Sequence, residues 1–248
     1  VEASQLLSKI IAPFVLRRTK EDVAKELPEK TEDVIYCDMG KDQRKVYDFF
    51  KDKYRDYLLN KIDENGVAKS QMYILEGLTK LRQICNSTAL INEEEDYGNF
   101  SVKTEILLEH IKEKTGQHKI LVFSQFVKML QIIKTRLDEE HISYEYLDGQ
   151  TKDRQTRVNN FQENKEVRVF LISLKAGGTG LNLTEADYVY IVDPWWNPAV
   201  ENQAIDRCYR IGQNKKVMAY RMICNDTIEE KILSLQSKKK KVAASIIS

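Results

Sequence analysis

Unbroken apolar runs constrain this chain more than any other feature: Ile120-Leu121-Val122-Phe123, Val169-Phe170-Leu171-Ile172 and Tyr188-Val189-Tyr190-Ile191-Val192. Each is too short for a buried helix and lacks the polar alternation of a half-exposed strand, so each reads as a strand covered on both faces. Ile142 to Leu147 and Val217 to Ile223 are further strand candidates, with amphipathic stretches at 103–114, 127–139, 152–163, 199–210 and 227–245 around them. Strands alternating with helices require right-handed crossovers, which predicts a doubly wound parallel α/β sheet. Ligands collect beyond the carboxyl ends of such strands. The polar and glycine-rich stretches fall there: Ser124-Gln125, Asp148-Gly149-Gln150-Thr151, Ser173 to Gly180, and Asp193 to Pro198.

Residues 41–92 follow a different period. Val46, Phe49, Phe50, Tyr54, Tyr57 and Leu58, then Met72, Leu75, Leu78, Leu81 and Ile84, recur at helical spacing, and Asp63-Glu64-Asn65-Gly66 reads as the turn of a helical hairpin. Glu93 to Asn99 is acidic and polar, so a domain boundary is placed in it. Upstream, Pro13 ends or bends any helix in the apolar stretch Leu6 to Val15, and Arg17-Arg18-Thr19-Lys20 reads either as a contact to phosphate or acidic side chains or as a solvated turn. Past Pro28, Asp33 to Met39 is a short β-prone run. The expected division is a linking segment over 1–40, a hairpin over 41–98 and an α/β domain over 99–248.

Lys and Arg number 39 against 38 Asp and Glu, a net charge of +1, so any anion site must be local rather than the work of a global field. Cys37, Cys85, Cys208 and Cys224 are far apart with no CxxC pair, which argues against a disulfide framework or a zinc site and for a reducing, intracellular compartment. No apolar run approaches the ~20 residues that span a bilayer, and no signal-peptide block is present, so a soluble protein without a membrane partner is expected.

Gly177-Gly178-Thr179-Gly180 resembles a phosphate cradle, because glycines let backbone N–H groups approach an anion and Thr179 adds a hydroxyl. It is not a Walker loop, since Leu181 stands where the lysine would follow, and a tight glycine turn explains it equally well. Arg207 and Arg210, three residues apart on a predicted helix, project to one side and can reach one anion. An arginine aimed at a transferring phosphoryl group stabilises transition-state charge, whereas pairing with Asp206 on a surface helix would contribute under about 1 kcal/mol. Trp195-Trp196, between Pro194 and Pro198, is an unusual place for two large rings; one is expected in the core and one as a brace. His110, His118 and His141 read as packing or surface residues, and Lys238 to Lys241 as a solvated helix face.

Taken together, these motifs resemble the C-terminal motor lobe of the Swi/Snf-type chromatin-remodelling ATPases, a branch of the superfamily-two helicases. Pro13 to Lys20 with Leu27-Pro28 is similar to the family's segment leaving its first lobe, and Leu81-Arg82-Gln83-Ile84-Cys85-Asn86 to its helical insertion. Ile120 to Phe126, Asp148 to Thr151, Ser173 to Leu183, Asp193 to Pro198 and Gln203 to Gln213 are similar to its successive helicase motifs. The resemblance implies a RecA-like, P-loop NTPase-like helicase lobe preceded by an α-helical protrusion. It implies that Arg207 and Arg210 are arginine fingers acting on ATP and Mg2+ held mainly by a preceding RecA-like lobe, with Gln203, Gly180 and Asp206 beside the nucleotide. It places Ser124, Gln125, Gly149, Thr151, Lys175, Gly178 and Thr179 along the backbone of double-stranded DNA, a suitable set because such groups hold phosphates without reading bases. Trp195, Trp196 and Asn197 would couple the two sites, no metal ligand is implied in these residues, and a DNA-bound protein is a further expected partner.

Two positions depart from the family pattern. Ser87-Thr88 stands where members often carry His-Pro, and Tyr209 where eukaryotic remodellers often have histidine, which leans toward a prokaryotic member of the cytoplasm or nucleoid rather than of a nucleus. The rival readings are an RNA helicase lobe, disfavoured by Gln213 in place of a second arginine, and a non-enzymatic DNA- or protein-binding module using the hairpin and the tryptophans.

Overall fold

The computed structural model describes residues 26–69, 71–91, 95–176 and 180–247, the side chains at 58, 60–69 and 239–247 excepted. Leu6 to Lys20 and Gly177-Gly178-Thr179 lie outside the described residues, as do the side chains of Lys239 to Lys241. Strand β1 (Lys30–Cys37) leads into helices α1 (Lys41–Lys69) and α2 (Gln71–Asn86), a 3-10 turn at Thr88–Leu90, and α3 (Val102–Lys114). The chain then alternates through β2 (Ile120–Ser124), α4 (Val127–Glu139), β3 (Tyr144–Leu147), α5 (Arg154–Glu163), β4 (Val169–Ser173), β5 (Tyr188–Ile191), α6 (Pro198–Ile205), β6 (Val217–Cys224) and α7 (Ile228–Ile247).

The strands form one sheet in the order β1-β6-β5-β2-β4-β3, parallel at every pairing. Successive side chains enter opposite cores, as a period of two requires. Ile120, Val122, Val169, Leu171 and Tyr190 pack under α3 and α4, while Leu121, Phe123, Phe170, Ile172 and Val189 pack under α5 and α6. Lys30–Cys37 falls in the stretch expected to link from a preceding lobe, yet it is also the edge strand, in register with β6 from Lys30↔Val217 to Cys37↔Cys224.

Helix α1 runs straight through Asp63 to Gly66, where a turn was expected, and ends at Lys69. A lone glycine costs a propagating helix only about 1 kcal/mol relative to alanine, and no proline interrupts this one. The hairpin itself is real. Gln43 Nε2 donates to Ile84 O at 2.8 Å near its root, and the Tyr57 and Tyr73 rings meet edge to face at 5.5 Å farther out. Between these contacts the Tyr54 ring lies so near Gly77 that a Cβ there would come within 3.0 Å of it. Tyr47, Phe50, Ile84 and Cys85 at the root share one core with the sheet, whereas Met72 and Leu75 toward the tip are exposed.

Ser87 and Thr88 anchor the return from the hairpin. The Ser87 hydroxyl caps the 3-10 turn by accepting from Ala89 N at 3.2 Å, and Thr88 Oγ1 donates to Gly98 O at 2.8 Å while accepting from Phe100 N at 2.9 Å. Beneath them Lys103, fully buried, donates to Asn86 Oδ1 at 3.1 Å, Val192 O at 2.6 Å and Glu229 Oε1 at 2.7 Å. Burial pulls its pKa down, but the Glu229 carboxylate more than offsets this and keeps the ammonium charged. One side chain thus joins hairpin, sheet and final helix.

Candidate functional site

The loops leaving β2 and β5 meet at Asp193, which is fully buried. Its carboxylate accepts from Ser124 Oγ at 2.5 Å and from Gln125 N at 3.1 Å, and Val192 N donates to Phe123 O at 2.9 Å. Burial raises the Asp193 pKa, opposed mainly by the charge of Arg82. Arg82 reaches in from α2 with only 2% of its surface exposed and donates to Pro194 O at 2.6 Å. Its guanidinium lies over Trp195, Phe126 and Trp196, at 5.3, 5.5 and 5.8 Å from the ring centroids. The Gln125 amide is assigned with its oxygen toward this fork, accepting from Nη1 at 2.6 Å and also from Nη2.

The tryptophan loop is held from its other side by Glu201 of α6. This buried carboxylate accepts from Trp195 N at 2.8 Å, Gln236 Nε2 at 2.7 Å and Arg221 Nε at 2.7 Å, and Arg221 Nη2 continues to Glu32 on β1 at 3.0 Å. Gln236 of α7 also donates to Trp195 O. Asn197 caps α6, accepting from Ala199 N at 3.1 Å, and Pro198 takes the first helical position, where its missing N–H is not needed.

Arg207 and Arg210 do not sit on α6, contrary to expectation, because the helix stops at Ile205. Arg207 N and Cys208 N bond three residues back, both at 3.2 Å, which tightens the last turn, and Leu183 N takes the Arg207 carbonyl at 3.0 Å. Burial of Cys208 and Tyr209 fixes the turn from inside, with Lys30 Nζ over the Tyr209 ring at 5.3 Å. Both arginines nonetheless lie on this one turn. Burial lowers the Arg207 pKa and the Arg210 charge lowers it further, with Asp206 opposing. Arg210 is exposed, and its Nη1 donates to Leu181 O at 3.4 Å. Gly180 holds φ at +82°, a backbone conformation that favours glycine, and Gln203 is exposed on α6.

Asp148 closes a turn after β3 by accepting from Gln150 N at 2.9 Å, Tyr146 OH at 3.1 Å and Thr151 Oγ1 at 3.2 Å. Burial would raise its pKa, but these hydrogen bonds outweigh that and hold it below the usual range. Gly149 is exposed, with open space where a side chain would stand, and Lys175 is exposed. Arg154 links this turn to the next loop through Thr151 O and Ala176 O, both at 3.3 Å, and Leu174 N donates to Ser124 O at 2.9 Å. The four loops therefore form one hydrogen-bonded edge that continues into the arginine turn.

Of the predicted residues, Ser124, Gln125, Trp195 and Trp196 gather around Asp193 and Arg82; Gly149, Thr151 and Lys175 lie along the next loops; Gly178 and Thr179 lie outside the described residues. Ser124 has no exposed surface, so it supports the edge from below. Both tryptophans are half-buried over Arg82, rather than one in the core and one outside. Arg82, Glu201 and Arg154 were missed. For Arg82 the signal was its helical spacing with Leu78, Leu81 and Cys85. Among the described residues, one group of metal-type ligands converges, Cys85, Cys224 and Glu229. It is already satisfied: Glu229 pairs with Lys103 and accepts from Cys224 N, the Cys224 thiol donates to Cys85 O at 3.3 Å, and burial pushes the Cys85 thiol well up.

Residues 102–212 match the model of the helicase conserved C-terminal domain, and residues 1–90 that of the SNF2-related domain. Across 97% of its length the chain is 40% identical to an ATP-dependent helicase of Mycoplasma genitalium, of which it covers 23%. It is 42% identical, over 94% of its length and 26% of the relative, to the ATP-dependent helicase/translocase YwqA of Bacillus subtilis. The chain thus spans about a quarter of the length of these curated relatives. Among solved structures, the C-terminal domain of the Sulfolobus solfataricus SWI2/SNF2 ATPase superposes with a TM-score of 0.67 at 33% identity, covering 89% of this chain and 90% of that one. The core of the same ATPase in complex with double-stranded DNA gives 0.70 at 35% identity, covering 96% and 50%.

Proposed function

The chain belongs to the SNF2 family as a C-terminal helicase lobe, and from that premise we propose that it is the second motor lobe of a DNA-dependent ATPase that translocates on duplex DNA. The observation that carries this reading is the shared turn of Arg207 and Arg210, hydrogen-bonded to the glycine-rich loop through Leu183 and Leu181, in a chain with no Walker lysine of its own. Two arginines on one turn, one of them partly desolvated and further disfavoured in its charged form by the other, suit an anion brought from outside. That anion is the terminal phosphate of ATP, held with Mg2+ mainly by the first RecA-like lobe of the same protein. Phosphoryl transfer spreads negative charge over oxygens that the two arginines stabilise. Gln203, Gly180 and Asp206 flank the nucleotide.

Gln125, Gly149, Thr151, Lys175, Gly178 and Thr179 grip the duplex backbone, with Ser124 supporting Gln125 through Asp193. A relative's core bound to double-stranded DNA supports duplex as the track. Trp195, Trp196 and Asn197 couple the arginine turn to this edge through α6. The protein works inside the cell, in the cytoplasm or nucleoid of a prokaryote, as the Mycoplasma and Bacillus relatives support, and a DNA-bound protein is the substrate it displaces. Among the described residues no helix is long and apolar enough to cross a membrane. The test is ATPase activity with and without duplex DNA. The 248 residues alone are expected to hydrolyse no ATP, and the protein carrying both lobes to show DNA-stimulated turnover; robust turnover by the 248 residues would overturn the reading.

A further inference from the structure

Arg82 is assigned no role in the reading above, yet it is an almost fully buried cation held between the loops that leave β2 and β5. It comes from α2, so it belongs to the hairpin and not to the α/β domain whose loops it enters. A guanidinium stays charged at any physiological pH, so burying it is tolerable only where acceptors and ring faces replace water. Here Pro194 O, the Gln125 amide oxygen and the faces of Phe126, Trp195 and Trp196 do so. Its partners belong to both loops that meet at Asp193. Moving either loop alone would strip the charge of half its contacts.

We infer that Arg82 is a positioning residue through which the helical hairpin sets the arrangement of Gln125 and of Trp195-Trp196. The consequence for DNA rests on the proposed function: Gln125 grips phosphate in the geometry that Arg82 imposes. The planar fork is essential to the device, because it donates in its plane to Gln125 and Pro194 while its faces stack on the rings. A lysine would supply a point charge and one direction of stacking at most.

The chain holds only two tryptophans, Trp195 and Trp196, so tryptophan emission excited selectively over its twelve tyrosines reports on this loop alone. Arg82→Lys and Arg82→Gln are expected to red-shift the emission and steepen acrylamide quenching, with far-UV circular dichroism unchanged. Unshifted emission in both folded variants overturns the inference. Should either variant fail to fold, nuclear Overhauser contacts between the Arg82 guanidinium and both indoles in the unmutated chain decide; contacts to both support the inference and their absence refutes it. In the two-lobe protein, duplex affinity should fall in Arg82→Lys as much as in Gln125→Ala, the double variant being no weaker than Arg82→Lys alone. Weakening by Gln125→Ala but not by Arg82→Lys refutes positioning. If neither variant alters affinity, the DNA assignment of this loop fails, while the fluorescence result still decides whether Arg82 locks it.

Discussion

Replacing Lys103 by methionine tests the packing on which the whole edge rests. The substitution keeps an unbranched side chain but removes the donor to Asn86 Oδ1, Val192 O and Glu229 Oε1. Glu229, with no exposed surface, would retain Cys224 N at 2.9 Å as its hydrogen-bond donor. Breaking one side of a buried ion pair typically costs ~3–5 kcal/mol. At ~2–4 °C per kcal/mol for a chain of this size, the melting temperature should fall by about 10 °C. Burial already pushes the Glu229 pKa up, and Lys103 is the largest influence holding it down. Without Lys103 the folded-state value rises further above the unfolded value of about 4.3. The folded state then binds the proton more tightly than the unfolded state. That contribution is full below about pH 4 and is lost as pH rises through the raised value. Urea titrations at several pH values should therefore show Lys103→Met losing stability with rising pH more steeply than the unmutated chain. Lys103→Met/Glu229→Gln should restore at least half of the loss and remove the extra slope. A cost under about 1 kcal/mol, or an unaltered pH slope, would mean that the pair is effectively solvated and the reasoning is wrong.

Two other perturbations probe the edge itself. Glu201→Ala removes the acceptor shared by Trp195 N, Gln236 and Arg221, so it should cost ~3–5 kcal/mol in urea melts, with Glu201→Gln losing less; equal losses in the two variants would show that the charge is irrelevant. In the two-lobe protein, Lys175→Ala should weaken duplex binding alike on unrelated sequences and reduce the slope of log K against log salt by about 1. An unchanged slope would move Lys175 off the DNA backbone.

The sheet was readable because strands covered on both faces are apolar along their length, as β5 is throughout and β2 and β4 are up to their closing Ser124 and Ser173. The place of β1 was not, since its partner begins nearly two hundred residues later at Val217 and nothing local announces that pairing. The end of α6 was misread for a tertiary reason: residues 206–210 keep helical spacing, but the bond from Leu183 N to the Arg207 carbonyl and the burial of Tyr209 turn the chain. Asp63 to Gly66 failed in the opposite sense, as turn-type residues absorbed by a long helix. The charged residues that organise the site, Arg82, Lys103 and Glu201, are the hardest to find in a sequence, because a charge on an amphipathic helix ordinarily faces water. Arg82 alone left a trace, sharing a helix face with Leu78, Leu81 and Cys85.

The central claim is that Arg207 and Arg210 complete an ATP site held by another lobe. Its most direct test is Arg210→Ala in the two-lobe protein, with hydrolysis, ATP affinity and duplex affinity measured on the same preparation. An arginine acting on the transferring phosphoryl group contributes ~10³–10⁵-fold to turnover. The account predicts that hydrolysis is lost on that scale while both affinities stay close to those of the unmutated protein. A collapse of ATP affinity, or turnover that survives the substitution, would contradict it.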